Sequence, residues 1–122
     1  MAGRTARDNM IRPVLEYLAD GKKHTSADVQ SHIRDLQIPA APTTNSKRKN
    51  WVAFALVNLQ RAEAILKVGR YEYQINHRGS DLLGQGHDAI TMEVLKQYPE
   101  MRQSLHLAAL AAARKTGIIS EH

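Results

Sequence analysis

Apolar residues recur along this chain at intervals of three and four, interrupted by prolines, glycines and capping residues. Between Asn9 and Ala19, Met10, Val14 and Leu18 stand four apart, with Ile11 and Leu15 beside them. That spacing predicts a helix with one broad apolar face. Asp8 or Asn9 is placed to cap it, Pro13 falls in or near its first turn, and Asp20-Gly21 ends it. A second helix is predicted from Thr25 or Ser26, because Thr25 and Asp28 have capping-box spacing and Val29, Ile33 and Leu36 follow at helical intervals. Pro39 and Pro42 stop any helix across residues 37–44, which read as a surface loop. A third helix is predicted from Asn45 or Ser46 to just before Ala64. Its core stripe is Val52, Ala55, Leu56 and Leu59. The opposite face carries Lys47, Asn50, Phe54, Val57 and Arg61. It is too apolar for a wholly exposed face, so cover by residues 88–115 or by a second subunit is expected.

After the third helix the period shortens to two. Ala64 to Val68 and Tyr71 to Asn76 read as strands; in the second, Tyr71, Tyr73 and Ile75 alternate with Glu72, Gln74 and Asn76. Val68-Gly69-Arg70-Tyr71 is the expected hairpin turn. A short helix with Leu82 and Leu83 then returns to the core, and Gly84-Gln85-Gly86 breaks the chain. Asp88 to Tyr98 reads as one helix, and Pro99 to Lys115 as an alanine-rich last helix ended by Gly117. Helix, strand, basic loop and strand, in that order, is the second half of a winged helix. The expected fold class is therefore mainly α with a small β-hairpin (α+β): a winged helix-turn-helix followed by a C-terminal helical extension. Residues 1–8 are expected to be a flexible tail, 9–86 the winged-helix domain and 87–122 the extension.

Composition narrows the functional classes. A length of 122 residues suits one domain with a real core. The absence of cysteine removes disulfides, thiolate zinc sites and cysteine nucleophiles, and fits a reducing, cytoplasmic setting. No apolar run approaches the ~20 residues that span a membrane. The first ten residues have no apolar segment of the secretory kind. The net charge of +5 favours polyanionic partners. Its placement matters more than its sum, and it concentrates at Lys47-Arg48-Lys49 and at Lys67 to Arg70.

Three like charges at the start of a helix repel one another and oppose its dipole, an arrangement that bound phosphates would relieve. Lys47, Arg48 and Lys49 are the leading candidates for DNA contact on that ground. Asn50 has the amide that pairs with an adenine edge, or else is plain helix surface. Arg61 could reach phosphate. Arg70 at the hairpin tip, with Lys67 and Tyr71, could touch phosphate or a minor groove, or Arg70 is a solvated hairpin arginine. Trp51 reads as core or inter-helix packing. No catalytic residue is assigned. The one Asp/Glu-x-Lys triplet, Asp20-Gly21-Lys22, lies in a turn, and no further sheet remains to build a nuclease core. The histidines show no i, i+4 pair, so neither a metal nor a cofactor is expected.

Ile11 to Val29, IRPVLEYLADGKKHTSADV, resembles the opening of the N-terminal domain of Mrr-type restriction proteins. Tyr73 to Leu83, YQINHRGSDLL, resembles the closing strand and last helix of the same domain. The likeness covers about residues 9 to 84. It implies a winged helix-turn-helix that binds double-stranded DNA, here without the nuclease domain of the full proteins. Glu63 departs from a glycine often found at the end of the third helix, and Asn76 stands in place of a capping threonine. The likeness does not account for Lys47-Arg48-Lys49 or for residues 87–122. The function expected is duplex DNA binding, mainly through phosphates, with the C-terminal helices available for a homodimer or a protein partner. The alternative is a protein-interaction or dimerisation module, an adaptor or inhibitor built on the same scaffold.

Overall fold

The stripe Met10, Ile11, Val14, Leu15 and Leu18 is fully buried, and the backbone beneath it is helical in three pieces. A 3₁₀ turn at Ala6–Met10 feeds helix α1, Ile11–Tyr17, and a second 3₁₀ turn follows at Leu18–Asp20. The computed structural model describes residues 6–36, 42–87 and 89–116. The N-cap of α1 falls on Met10, which has helical dihedral angles and makes no side-chain capping bond, and not on Asp8 or Asn9. The preceding turn already continues the helical backbone. Pro13 is the third residue of α1, within its first turn. Gly21 closes this segment at φ +78°, its N–H donating to the Leu18 carbonyl over 3.2 Å.

Strand β1, His24–Thr25, then leads directly into α2, Ser26–Asp35. The predicted capping box forms: the Asp28 N–H donates to Thr25 Oγ1 (3.1 Å) and the Thr25 N–H to the Asp28 carboxylate (3.2 Å). Helix α3 spans Asn45–Arg61 and is capped by Thr44, one residue ahead of the predicted cap, which accepts the Lys47 N–H. Most of the intervening loop, residues 37–41, lies outside the described residues. At the far end of α3 the Glu63 N–H bonds to the Gln60 carbonyl and the Ala64 N–H to the Leu59 carbonyl, both over 2.9 Å. That pair of bonds is a Schellman motif. Its left-handed position is held by Glu63, at φ +59°.

Strands β2, Ile65–Gly69, and β3, Glu72–Ile75, form the hairpin. The sheet is antiparallel and three-stranded, in the order β1-β3-β2, so the expected hairpin gains a third strand on the β3 side. Tyr73 lies opposite both His24 and Lys67. The register shifts between Lys67 and Gly69, and Gly69 pairs with Glu72. The two-residue loop is therefore Arg70-Tyr71, one position later than the sequence predicts. Its left-handed residue is Tyr71, at φ +62°.

Asn76 caps α4, His77–Gly84, accepting the Gly79 N–H over 3.0 Å. Helix α5 is only Met92–Leu95, capped by Thr91, shorter than the predicted Asp88 to Tyr98. Helix α6 runs Pro99–Thr116, and Gly117, its predicted stop, lies outside the described residues. The described chain is thus mostly helical with a small antiparallel sheet, an α+β arrangement.

One core joins all of this. Ile90, Leu95 and Met101 are buried in the same cluster as Ile11, Val52, Leu59 and Leu82. Both α5 and α6 pack on α3. Residues 89–101 are therefore part of the domain and not an appendage to it. Residues 6–8 are likewise not a tail. Asp8 is buried, and the Arg7 guanidinium lies over the Phe54 ring at 4.5 Å from its centroid. Phe54 thus gains cover from the N-terminal turn. Val57, in contrast, stays 43% exposed.

Candidate nucleic-acid interface

With Val52, Ala55, Leu56 and Leu59 turned into the core, helical spacing sends Ser46, Lys49, Asn50, Ala53, Val57 and Gln60 outward, and all six are exposed. This stripe runs between α2 and the hairpin. On the α2 side a groove of about 310 Å³ is lined by Ala27, Gln30, Ser31, Arg34, Asn45, Arg48 and Lys49. On the hairpin side a groove of about 200 Å³ is lined by Ser26, Gln30, Lys49, Ala53, Leu56, Val57, Tyr71 and Tyr73. Gln30 and Lys49 belong to both, so the two grooves form one continuous surface. Among the described residues no carboxylate lines either.

The cations on this surface are held at the start of α3. The Arg48 guanidinium donates to Asn45 Oδ1 (2.7 Å) and to the Thr43 carbonyl (3.5 Å), which draws it across the first turn. Lys47 and Lys49 are exposed, and no acidic residue occupies that turn. The N-terminal end of a helix carries partial positive charge, so these side chains add to an existing positive field. Arg34 approaches Asp35 at 3.8 Å, an exposed pair of little energetic weight.

The predicted contact residues separate into two groups. Arg48 and Lys49 line the grooves, Asn50 is exposed beside them, and Lys47 stands at the same end of α3. Tyr71 lines the hairpin-side groove at 57% exposure, with the Arg70 guanidinium 5.3 Å from its ring centroid; Lys67 is exposed on β2. Arg61 is elsewhere: half-buried, it lines a groove between α3 and α6 with Glu63, Glu100 and Leu107. Nearby carboxylates, not an open cationic face, surround it. Trp51 is half-buried against the core.

The contribution of α2 was not visible in the charge runs of the sequence. Ser26, Gln30 and Arg34 recur at intervals of four beside the Val29 and Ile33 stripe, with Ser26 and Gln30 half-buried and Arg34 exposed. That spacing marks them as one flank of α2, alongside its buried stripe. Nothing local to α2 says that α3 lies alongside it.

Other polar clusters have local explanations. Asp20 accepts the Lys22 N–H (2.8 Å) and meets the His24 ring nitrogen at 3.0 Å. The backbone bond first, then His24, hold its carboxyl below the ordinary range. Tyr17 is flanked by the rings of His24 and His32, at 4.6 and 4.5 Å. Among the described residues no three His, Cys, Asp or Glu side chains group so as to hold a metal ion, and no helix is long and apolar enough to cross a membrane. Compared with known proteins, the chain matches no family profile, no curated protein and no solved structure.

Proposed function

We propose that the chain is a winged-helix DNA-binding protein, similar to the targeting domain of Mrr-type restriction proteins and without a nuclease of its own. The observation that carries this reading is the continuous surface between α2, α3 and the hairpin, lined by no carboxylate among the described residues, with Arg34, Arg48 and Lys49 on its rim. The order helix, strand, helix, helix, strand, strand around a β1-β3-β2 sheet is also that of a winged helix. Helix α3 enters the major groove by its exposed stripe, since a helix with its side chains matches the groove's width of about 12 Å. Lys47, Arg48 and Lys49 meet phosphates at its N-terminal end, where the helix dipole also favours anions. Lys67, Arg70 and Tyr71 flank the neighbouring strand. Arg61, beside Glu63 and Glu100, is left out of the contact set.

The test is duplex binding by fluorescence anisotropy across a salt series. Replacing Lys47, Arg48 and Lys49 with alanine flattens the log–log slope by up to about 0.9 per lost contact. Arg61→Ala leaves the slope as it was. A triple variant with the wild-type slope counts against the phosphate assignment.

A second reading has its own support. Leu107 is 56% exposed on α6, next to exposed alanines at 108, 109, 111 and 112, and Leu66 is exposed on β2. These surfaces suit a homodimer or a protein partner. A chain that functions only in that way has negligible duplex affinity at physiological salt. It also sediments as a dimer, or as a complex with its partner.

A further inference from the structure

The face that meets DNA in the proposed function has polar edges and an apolar centre. Ala53 and Val57 stand one turn apart on the exposed side of α3, and with Leu56, Tyr71 and Tyr73 they make most of the lining of the hairpin-side groove. Val57 is not needed to close the core, which Leu56 and Leu59 complete from the other side of the helix. At 43% exposure it leaves apolar surface in water in the middle of a cationic face. Neither Ala53 nor Val57 has a hydrogen bond to offer a base.

In the major groove only one base edge presents an apolar group, the C5-methyl of thymine. Asn50, exposed one turn ahead of Ala53, carries the amide that pairs with adenine N6 and N7. The three side chains therefore favour the two halves of one base pair. Four residues of helix advance about 6 Å, close to two base-pair steps of about 3.4 Å, so Ala53 and Val57 address nearby pairs and not the same one. An apolar protein partner on this centre would leave Arg34, Arg48 and Lys49 facing it without compensating charge, whereas a phosphate backbone supplies that charge on both sides.

We propose that α3 selects A·T base pairs, packing Ala53 and Val57 against thymine C5-methyl groups while Asn50 takes an adenine edge. The inference rests on the duplex-binding reading above. Its test compares alternating dA-dT duplexes with dA-dU duplexes of equal length at several salt concentrations. Uracil keeps every hydrogen-bonding group of thymine and lacks only the methyl. The full-length protein binds the thymine duplex more tightly, by about fourfold for each methyl buried. Val57→Ser, at an exposed position, leaves the circular dichroism spectrum and the salt slope unchanged and brings the thymine-to-uracil ratio down towards one. Equal affinity for the two duplexes, with the salt slope intact, overturns methyl selection and leaves DNA binding standing. Full discrimination by Val57→Ser overturns the assignment to α3's centre. Absence of binding to either duplex overturns both this inference and the reading on which it rests.

Discussion

Glu63 occupies a position that suits it poorly. A side chain with a Cβ in the left-handed region costs about 1–2 kcal/mol, and glycine avoids that cost at the price of a more flexible unfolded chain. Glu63 is exposed, so little packing is lost on replacement. Glu63→Gly is expected to raise stability by about 1 kcal/mol, read as a higher denaturant midpoint with an unchanged m-value. Gly79 is the opposite case. A Cβ there would run into the Ala64 carbonyl and the Ile75 side chain, where α4 closes on the start of β2. Gly79→Ala is expected to lose about 1–3 kcal/mol by urea denaturation, despite alanine's better helix propensity. The two residues differ in how far a sequence can disclose them. A Gly in a short helix is legible as a possible close approach. Glu63 shows no local sign of its left-handed backbone, because the chain is forced there by the return of β2 onto the core.

At the scale of elements, what could be read from sequence was what depends on near neighbours. The Thr25–Asp28 capping box, the α3 stripe and the Asn76 cap each need only three or four residues of context. Strand β1 escaped because two residues carry no periodicity; it exists through its pairing with β3. Helix α5 came out short because apolar spacing at Ile90, Val94 and Leu95 fits a helix, yet Ile90 reaches the core from ahead of the Thr91 cap. The candidate site divides in the same way. The cations at the start of α3 are a sequence-local feature, while the Gln30 and Arg34 wall and the displacement of Arg61 follow from how α2 and α6 pack. Asn76 is the element-level joint most open to test. Its Oδ1 caps α4 and its Nδ2 donates to the Glu63 carbonyl over 2.6 Å, so one side chain fixes the end of α3 relative to the start of α4. Asn76→Ala is expected to cost about 1–2 kcal/mol in thermal or chemical unfolding, and Asn76→Ser less, since a serine hydroxyl still caps α4 and sets no charge against the Glu63 carbonyl. A loss no larger for alanine than for serine would mean that the cap contributes nothing.

Across the whole molecule, Arg78, on α4, ties the end of α3 to the C-terminal helices. Its guanidinium donates to the Ala62 carbonyl (2.9 Å) and to Glu100 (2.7 Å), and lies 4.5 Å from the centroid of the Tyr98 ring. The bond from Arg78 holds the Glu100 carboxyl below its ordinary value, and Arg78 itself is held above its own. A carboxylate with a lower pKa folded than unfolded adds stability above the unfolded value and loses it as pH falls through the folded one. The Arg78 shift points the other way, and its loss would come only in strong alkali. The pair's contribution is therefore present at neutral pH and lost only on the acid limb, and it is modest, because both side chains are about one-third exposed. Asp20, lowered mainly by the Lys22 N–H, adds a second acid-sensitive contribution that is independent of this joint. Glu100→Gln keeps the shape and removes the charge. Melting curves taken by circular dichroism across the acid range are expected to show the variant below wild type at neutral pH. The gap should close as pH drops beneath the ordinary glutamate range, while the slope due to Asp20 persists in both proteins. A gap that stays constant into strong acid would remove the pair from the stability of the fold. The joint lies at the C-terminal end of α3, with the proposed phosphate contacts at the other. Glu100→Gln should therefore leave the salt slope of duplex binding unchanged, separating what holds the molecule together from what it binds.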